Sequence, residues 1–281
     1  MGFNMDKSFA QYQGKTLQLI AAFIFILAIT VLHSLDHAAA ETPEEKGLAI
    51  AVEADRRNTG FENSTADMLM ILKNRHGQES RRQMRFRNLE VEGDGDKSLT
   101  IFDSPMDVKG TAFLNYTHKE GDDDQWLYLP ALKRVKRISS RNKSGSFMGS
   151  EFAYEDIASQ EVEKYTYKWL RDEIYQGNDC FVSERYPVDR KNSGYSRQVT
   201  WLDKQEYRVW KVEYYDRKNM HIKTLIMRNH QQYGDKFWRA LELYMVNHQT
   251  GKSTLLQFSN YKFDTGLTEA DFSKNSLKRA R

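Results

Sequence analysis

Lys133, Arg134, Lys136, Arg137, Arg141 and Lys143 crowd one short stretch and are the most distinctive charge feature of the chain. Cations spaced this way can dock on anionic lipid headgroups, where each contributes roughly 1 kcal/mol near a charged membrane, or on an acidic partner. The plainer chemistry is protection of a sheet edge, because charged edge strands resist pairing with a second chain. Ser144 to Ser150 follow as a small-residue, flexible loop carrying Phe147 and Met148. Together with the six cations, these two residues make a candidate docking face for a partner or a membrane.

Other residue types that could do chemistry lack the spacing for it. His76, His118, His221, His230 and His248 are scattered without an H-E-x-x-H pair, as expected of histidines on sheet surfaces, and no serine sits in a G-x-S-x-G elbow. Gly145 to Gly149 lacks the Lys-Ser/Thr pair that grips phosphate. The acidic clusters at Asp94 and at Asp122-Asp123-Asp124 read as solvated turns, since neither supplies the spaced ligands of a calcium loop. Cys180 is the sole cysteine, which excludes an internal disulfide and a cysteine-based zinc site and suggests a small buried hydrophobe. The expectation is a chain with no catalytic residue, no metal and no cofactor.

The elements that must position these residues are mostly strands. The composition holds 15 Tyr, 15 Phe and 5 Trp but only 4 Pro among 281 residues, which favours β structure over disorder. A net charge of +3 is too small to imply nucleic acid as a partner. Lys7 and Lys15 precede the apolar run Leu17 to Leu32, and Ala38-Ala39-Ala40 follows as a small-residue cleavage pattern. Residues 1–40 therefore read as a signal peptide, the apolar run being shorter than the roughly 20 residues of a spanning helix. Residues 41–281 read as a single domain.

Thr42-Pro43-Glu44-Glu45 predicts a capped helix with a narrow stripe of Leu48, Ala51, Val52 and Asp55. About twelve period-2 segments follow, separated by turn chemistry such as Asn192-Ser193-Gly194, and Thr268 to Asp271 predicts a second capped helix through Leu277. Two helices are few for so much sheet. A curved antiparallel sheet left partly uncovered encloses a cavity. The expected apolar lining is Met68, Met70, Leu72, Met84, Phe86, Leu99, Ile101, Leu114 and Leu129.

Several segments together resemble a known family. They are Ala54-Asp55-Arg56-Arg57 with Gly60-Phe61, the strand Met68 to Leu72, Trp126-Leu-Tyr-Leu-Pro130, and Gly145-Ser-Phe-Met-Gly-Ser-Glu-Phe-Ala-Tyr-Glu-Asp156. Over nearly all of 45–275 the chain is similar to the LolA-like outer-membrane lipoprotein-sorting proteins, in the branch associated with RND-type transporters. The resemblance implies a mainly β (α+β) fold of the LolA/LolB type, a large antiparallel sheet forming an unclosed barrel with a few helices as a lid. It further implies a periplasmic, non-enzymatic carrier of lipid or acylated lipoprotein. Its partners would be an inner-membrane RND-type transporter and, transiently, the outer membrane. The competing expectation is a structural or accessory envelope protein with a filled interior, binding a partner through its sheet and basic hairpin.

Overall fold

The structure, a computed structural model, describes residues 41–279, so the expected signal peptide at 1–40 lies outside the described residues. Helix α1 (Pro43–Asn58) starts as its sequence predicts. The Thr42 hydroxyl accepts from the Glu45 N–H at 3.1 Å, and the Glu45 carboxylate accepts from the Thr42 N–H at 2.8 Å. The expected stripe is corrected: Leu48 and Val52 are 46% and 49% exposed, whereas Gly47 and Ile50 face inward. The cause is a close approach. A Cβ on Gly47 would lie 2.7 Å from the backbone nitrogens of Lys168 and Trp169, so the helix buries the face that lets two backbones meet rather than its bulkiest one.

Thirteen antiparallel strands follow: β1 (Asn63–Lys73), β2 (Glu79–Leu89), β3 (Lys97–Ser104), β4 (Ala112–Tyr116), β5 (Asp124–Leu129), β6 (Arg134–Ile138), β7 (Tyr165–Tyr175), β8 (Asn178–Pro187), β9 (Tyr195–Asp203), β10 (Val209–Asp216), β11 (His221–Tyr233), β12 (Phe237–Asn247) and β13 (Ser253–Phe263). They form one sheet in the order β6-β5-β4-β3-β2-β1-β13-β12-β11-β10-β9-β8-β7. Chain neighbours pair everywhere except across the β6 to β7 connection, and β1 joins β13. With β6 and β7 as free ends the barrel stays unclosed, a mainly β fold as expected.

Register sorts the side chains between two faces. Met68 lies opposite Met84, which lies opposite Phe102, while Phe113 lies opposite Leu127. On the other limb Thr200, Val212, Leu225 and Met245 face one another in turn across β9 to β12. Met84, Phe102 and Phe113 share a buried cluster with Val212, Leu225 and Met245. The sheet therefore curls until its limbs meet across a concave interior. On its convex face Leu99, Ile101, Ala112, Leu114 and Trp126 are sealed by the C-terminal segment. There the predicted Thr268–Asp271 capping box opens a turn at Glu269–Phe272, and helix α3 (Lys274–Arg279), separated from α1 in the chain by a four-residue helix α2 (Tyr154–Ile157), brings in Leu277. Cys180 packs with Val182, Val199 and Trp201. It is fully buried, and that burial pushes its thiol up to about 11, so it serves as packing.

Candidate functional site

Between β6 and β7 the chain turns back into the concave interior and fills one end of it. Phe147, Phe152 and Ala153 are each 1% exposed. The Phe147 ring centroid lies 5.2 Å from that of Phe113, 6.1 Å from Phe102 and 5.5 Å from Tyr154, a cluster of offset and edge-on aromatic contacts. Backbone bonds hold the segment: the Phe147 N–H donates to the Phe152 carbonyl at 2.7 Å and the Tyr154 N–H to the Gly145 carbonyl at 3.0 Å. The Glu151 N–H donates to the Thr254 hydroxyl at 3.0 Å, and the Asn247 amide to the Glu151 carboxylate at 2.6 Å. Behind the plug, Glu155 accepts from the Gly194 N–H and the Ser193 hydroxyl, both at 2.8 Å. Burial, with the Asp156 charge next to it, pushes Glu155 up to about 7. The stretch expected to be a flexible loop is thus a bonded plug, because its aromatic side chains are what that end of the interior needs to exclude water.

The other end is hollow. Helix α1 roofs a cavity of about 1350 Å³, larger than the roughly 300–1,000 Å³ of ordinary small-molecule pockets. Ile50, Phe61, Met227, Leu243 and Phe258 contribute apolar wall, and Asp55, Asp96, Glu161, Arg208 and Arg239 contribute charge. Burial pushes Asp96 up to about 6, helped by Glu90, and Glu161 up to about 7, helped by Asp96 and Asp55. Arg208 is spent on Asp203 at 2.8 Å, and Arg239 donates to the Asn58 side chain at 2.7 Å while facing the ring of Phe61 at 5.4 Å. Among the described residues no group of His, Cys, Asp and Glu side chains could hold a metal ion.

The roof is fastened mostly by polar contacts at its two ends. Glu44 pairs with Lys168 at 3.1 Å, and the Lys46 ammonium sits 3.5 Å from the centre of the Trp169 ring. Arg57 donates to the Gln205 carbonyl at 2.8 Å, and Lys236 donates to the Thr59 carbonyl at 2.6 Å. Exposed ion pairs contribute only about 0–1 kcal/mol each. The roof is therefore held far less tightly than the aromatic plug, which rests on burial.

The residues singled out in the sequence are distributed differently from expectation. Met68, Met70, Met84, Leu72, Phe86 and Leu129 do lie in or against the concave cluster, yet none of them borders the open cavity. Leu99, Ile101 and Leu114 are corrected outright to the convex face, where they pack under Phe272 and Leu277. The reason is register: Ile101 lies opposite Arg85, and Leu99 opposite Arg87 and Leu114, so these alternate away from Phe86 and Phe102. In the docking set Phe147 is corrected from exposed to buried, and Met148 is partly buried against the same cluster. Lys133, Arg134, Lys136 and Arg141 are exposed on or beside the edge strand β6, a position that suits edge protection and docking alike. Arg137 pairs with Asp124 at 2.5 Å and Lys143 with Asp189 at 3.2 Å. His230, expected on a sheet surface, lines the cavity and packs against Trp210 with ring centroids 4.5 Å apart and planes tilted by 50°. Of the cavity walls, Met227, Trp238 and Leu243 sit on strands that the sequence outlines and Phe61 falls in a segment of the family resemblance, but nothing in the local pattern marked these or His230 as lining a cavity.

With this geometry in place, comparison with known proteins locates the chain. A protein-family model described as an uncharacterized protein matches residues 94–279. Among curated proteins no relative matches. The solved structure of an outer membrane lipoprotein-sorting protein domain from Vibrio parahaemolyticus is 63% identical, with 84% of this chain and 100% of that one covered and a TM-score of 0.82. A DUF1329 family protein from Desulfovibrio piger is 33% identical over 84% of this chain and 99% of that one, with a TM-score of 0.79. A LolA superfamily protein from Nitrosomonas europaea, at 20% identity, 82% and 98% coverage and a TM-score of 0.66, shares the fold.

Proposed function

Because the chain belongs to the LolA-like family of outer membrane lipoprotein-sorting proteins, we propose that it is a periplasmic carrier that shelters the acyl chains of a lipid or lipoprotein beneath α1. The observation that carries this reading is the hollow end of the interior. Its volume of about 1350 Å³ stands open, although at the other end of the same sheet Phe102, Phe113, Phe147 and Phe152 pack into one buried cluster. An acyl chain moved from water into the apolar part of that space gains about 0.8 kcal/mol per buried methylene. No covalent step is required, and the chain acts as a binding protein rather than an enzyme.

Release follows from the roof. Apart from the Gly47 approach to β7 and the buried Ile50, the contacts that fasten α1 and its C-cap, to Lys168, Tyr207 and Lys236, are polar and peripheral, so the helix can lift at a membrane or transporter without disturbing the plug. The exposed cations Lys133, Arg134, Lys136 and Arg141 on the β6 edge supply attraction to an anionic surface during that encounter. An RND-type exporter of the inner membrane is the partner the carrier would serve, with cargo moving toward the outer membrane. Native mass spectrometry and lipid extraction of protein purified from periplasm test the reading. Co-purifying lipid supports it; cargo-free protein that also fails to bind a fluorescent fatty acid overturns it in favour of an accessory protein.

A further inference from the structure

Neighbouring strands are antiparallel throughout, so the turns between them fall alternately on two rims of the sheet. One rim carries the turns after β1, β3, β5, β8, β10 and β12, and the other those after β2, β4, β7, β9 and β11. Their charges are opposite. On the first rim, residues 74–78, 105–111, 130–133, 188–194, 217–220 and 248–252 hold eight Lys and Arg against two Asp, and one of these, Asp189, is paired with Lys143 at 3.2 Å. On the second, residues 90–96, 117–123, 176–177, 204–208 and 234–236 hold four Lys and Arg against nine Asp and Glu.

The exposed apolar side chains divide the same way. Among the described residues seven large ones stand in solvent, and four of them sit in turns of the basic rim: Met106 at 82% exposure, Leu132 at 68%, Val188 at 63% and Met220 at 52%. Leu48 and Val52 lie on α1, and Ile174, beside the β7 to β8 turn, belongs to the acidic rim. A single exposed aliphatic residue is ordinary. Four on the tips of one rim, each with a cation within three positions, make a pattern: Lys109 follows Met106, Lys133 follows Leu132, Arg190 follows Val188 and Lys218 precedes Met220. Two of the tips join strands of one limb and two join strands of the other, so the rim as a whole can meet one broad surface.

We infer that this rim is a membrane-contact surface, on which the protein stands upright on an anionic bilayer with its four apolar tips in the headgroup layer. Short apolar side chains backed by cations suit that layer, because buried apolar area and attraction to anionic lipid add together there. The acidic rim does not cancel the attraction. Strand β1 has 11 residues, and at about 3.3 Å per residue the two rims stand roughly 30 Å apart, well beyond the ~8 Å over which physiological salt screens a charge. That far rim borders the cavity through Glu90, Asp94, Glu206 and Asp235, so the roofed space is held clear of the lipid and α1 stays free to move. The contact goes beyond the carrier reading and needs no filled cavity.

Site-specific labelling of protein purified from periplasm tests it. Cys180 is fully buried, so a cysteine introduced at a turn is the reactive thiol. Met106→Cys, Met220→Cys and, as the control on the acidic rim, Ile174→Cys would each carry the fluorophore NBD and be mixed with vesicles of equimolar phosphatidylglycerol and phosphatidylcholine. Emission is expected to rise roughly twofold or more and shift to the blue at positions 106 and 220, as in a headgroup layer, and to stay unchanged at 174. Pure phosphatidylcholine vesicles are expected to give little response. Lys191→Glu combined with Lys218→Glu, both in exposed turns, is expected to weaken binding of the unlabelled protein to the anionic vesicles by roughly tenfold or more, with the unfolding midpoint unchanged. No response at 106 and 220, an equal response at 174, equal responses on neutral and anionic vesicles, or undiminished binding of the double variant each overturns the inference. Because none of these measurements involves cargo, that outcome leaves the carrier reading standing.

Discussion

At the end of the interior bounded by β2 to β5, Phe102, Phe113, Phe147 and Phe152 close against one another and every one of them is at most 1% exposed. At the end bounded by β8 to β12 the same concave face carries Ser183, Thr200, His230 and Trp238 beneath a helix and is hollow. One continuous sheet lines both, so its curvature does not decide which end is filled. The decision lies with what crosses the opening. The β6 to β7 connection inserts aromatic side chains, whereas α1 meets the sheet at Gly47 and directs Leu48 and Val52 into solvent. A connection that contributes aromatic bulk makes core, and one that contributes Gly47, the alanines and a single Ile50 makes a roof over empty space.

That contrast can be broken most sharply at the plug. Phe147→Ala is expected to lower stability by about 3–5 kcal/mol, read from urea unfolding; a loss below about 1 kcal/mol would mean that the filled end is not core at all. Gly47→Ala should cost less, about 1–3 kcal/mol of overpacking, because a roof can shift. Hydrogen exchange should then quicken in 43–58 and β7 and stay slow at 147–154, and uniform quickening would contradict the separation of the two ends.

A smaller effect distinguishes the ends by pH. Glu155 behind the plug and Asp96 and Glu161 at the cavity hold their protons to about 7, about 6 and about 7, above ordinary values of 4.5 for Glu and 3.8 for Asp. The folded chain therefore binds more protons than the unfolded chain between those values. The stability these groups contribute is fully present at low pH and is lost as pH rises through about 7. Urea midpoints should fall from pH 5 to pH 7.5, and Glu161→Gln should flatten part of that slope while leaving the exchange of the plug unaltered; a midpoint that rises over this range would contradict the burial of these carboxyls. Least of all should Lys136→Glu at the β6 edge change stability, within about 0.5 kcal/mol. It should instead weaken binding to anionic vesicles in a salt-dependent way, and unchanged vesicle binding would remove the edge from the docking account.

Much of the fold is legible in the chain. The Thr42 cap forms as written, whereas Thr268 opens a single turn at Glu269–Phe272 that breaks at Ser273 instead of one helix through Leu277; the Tyr195–Asp203 segment matches its strand end to end, and alternation places Met68, Met70 and Met84 on the concave face. What alternation cannot carry is absolute face assignment from one strand to the next. Leu99 and Ile101 alternate as cleanly as Met84 and Phe86, but the β2 to β3 register turns Phe102 inward and them outward. The plug was illegible for a related reason. Ser144, Gly145, Ser146 and Gly149 speak for a loop, and only tertiary packing shows that Phe147 and Phe152 between and beyond them belong to the core. Gly47 gives no sign by itself that it touches Lys168 and Trp169, more than a hundred positions away.

Leu243→Trp, which adds bulk to the cavity wall from β12, offers the most direct measurement. Delipidated wild-type and variant protein would be titrated with a fluorescent fatty acid. Saturable binding to the wild type, weakened or lost in the variant while unfolding midpoints stay similar, is the expected result. Binding that the added indole leaves undiminished would contradict the assignment of the hollow end as the cargo site.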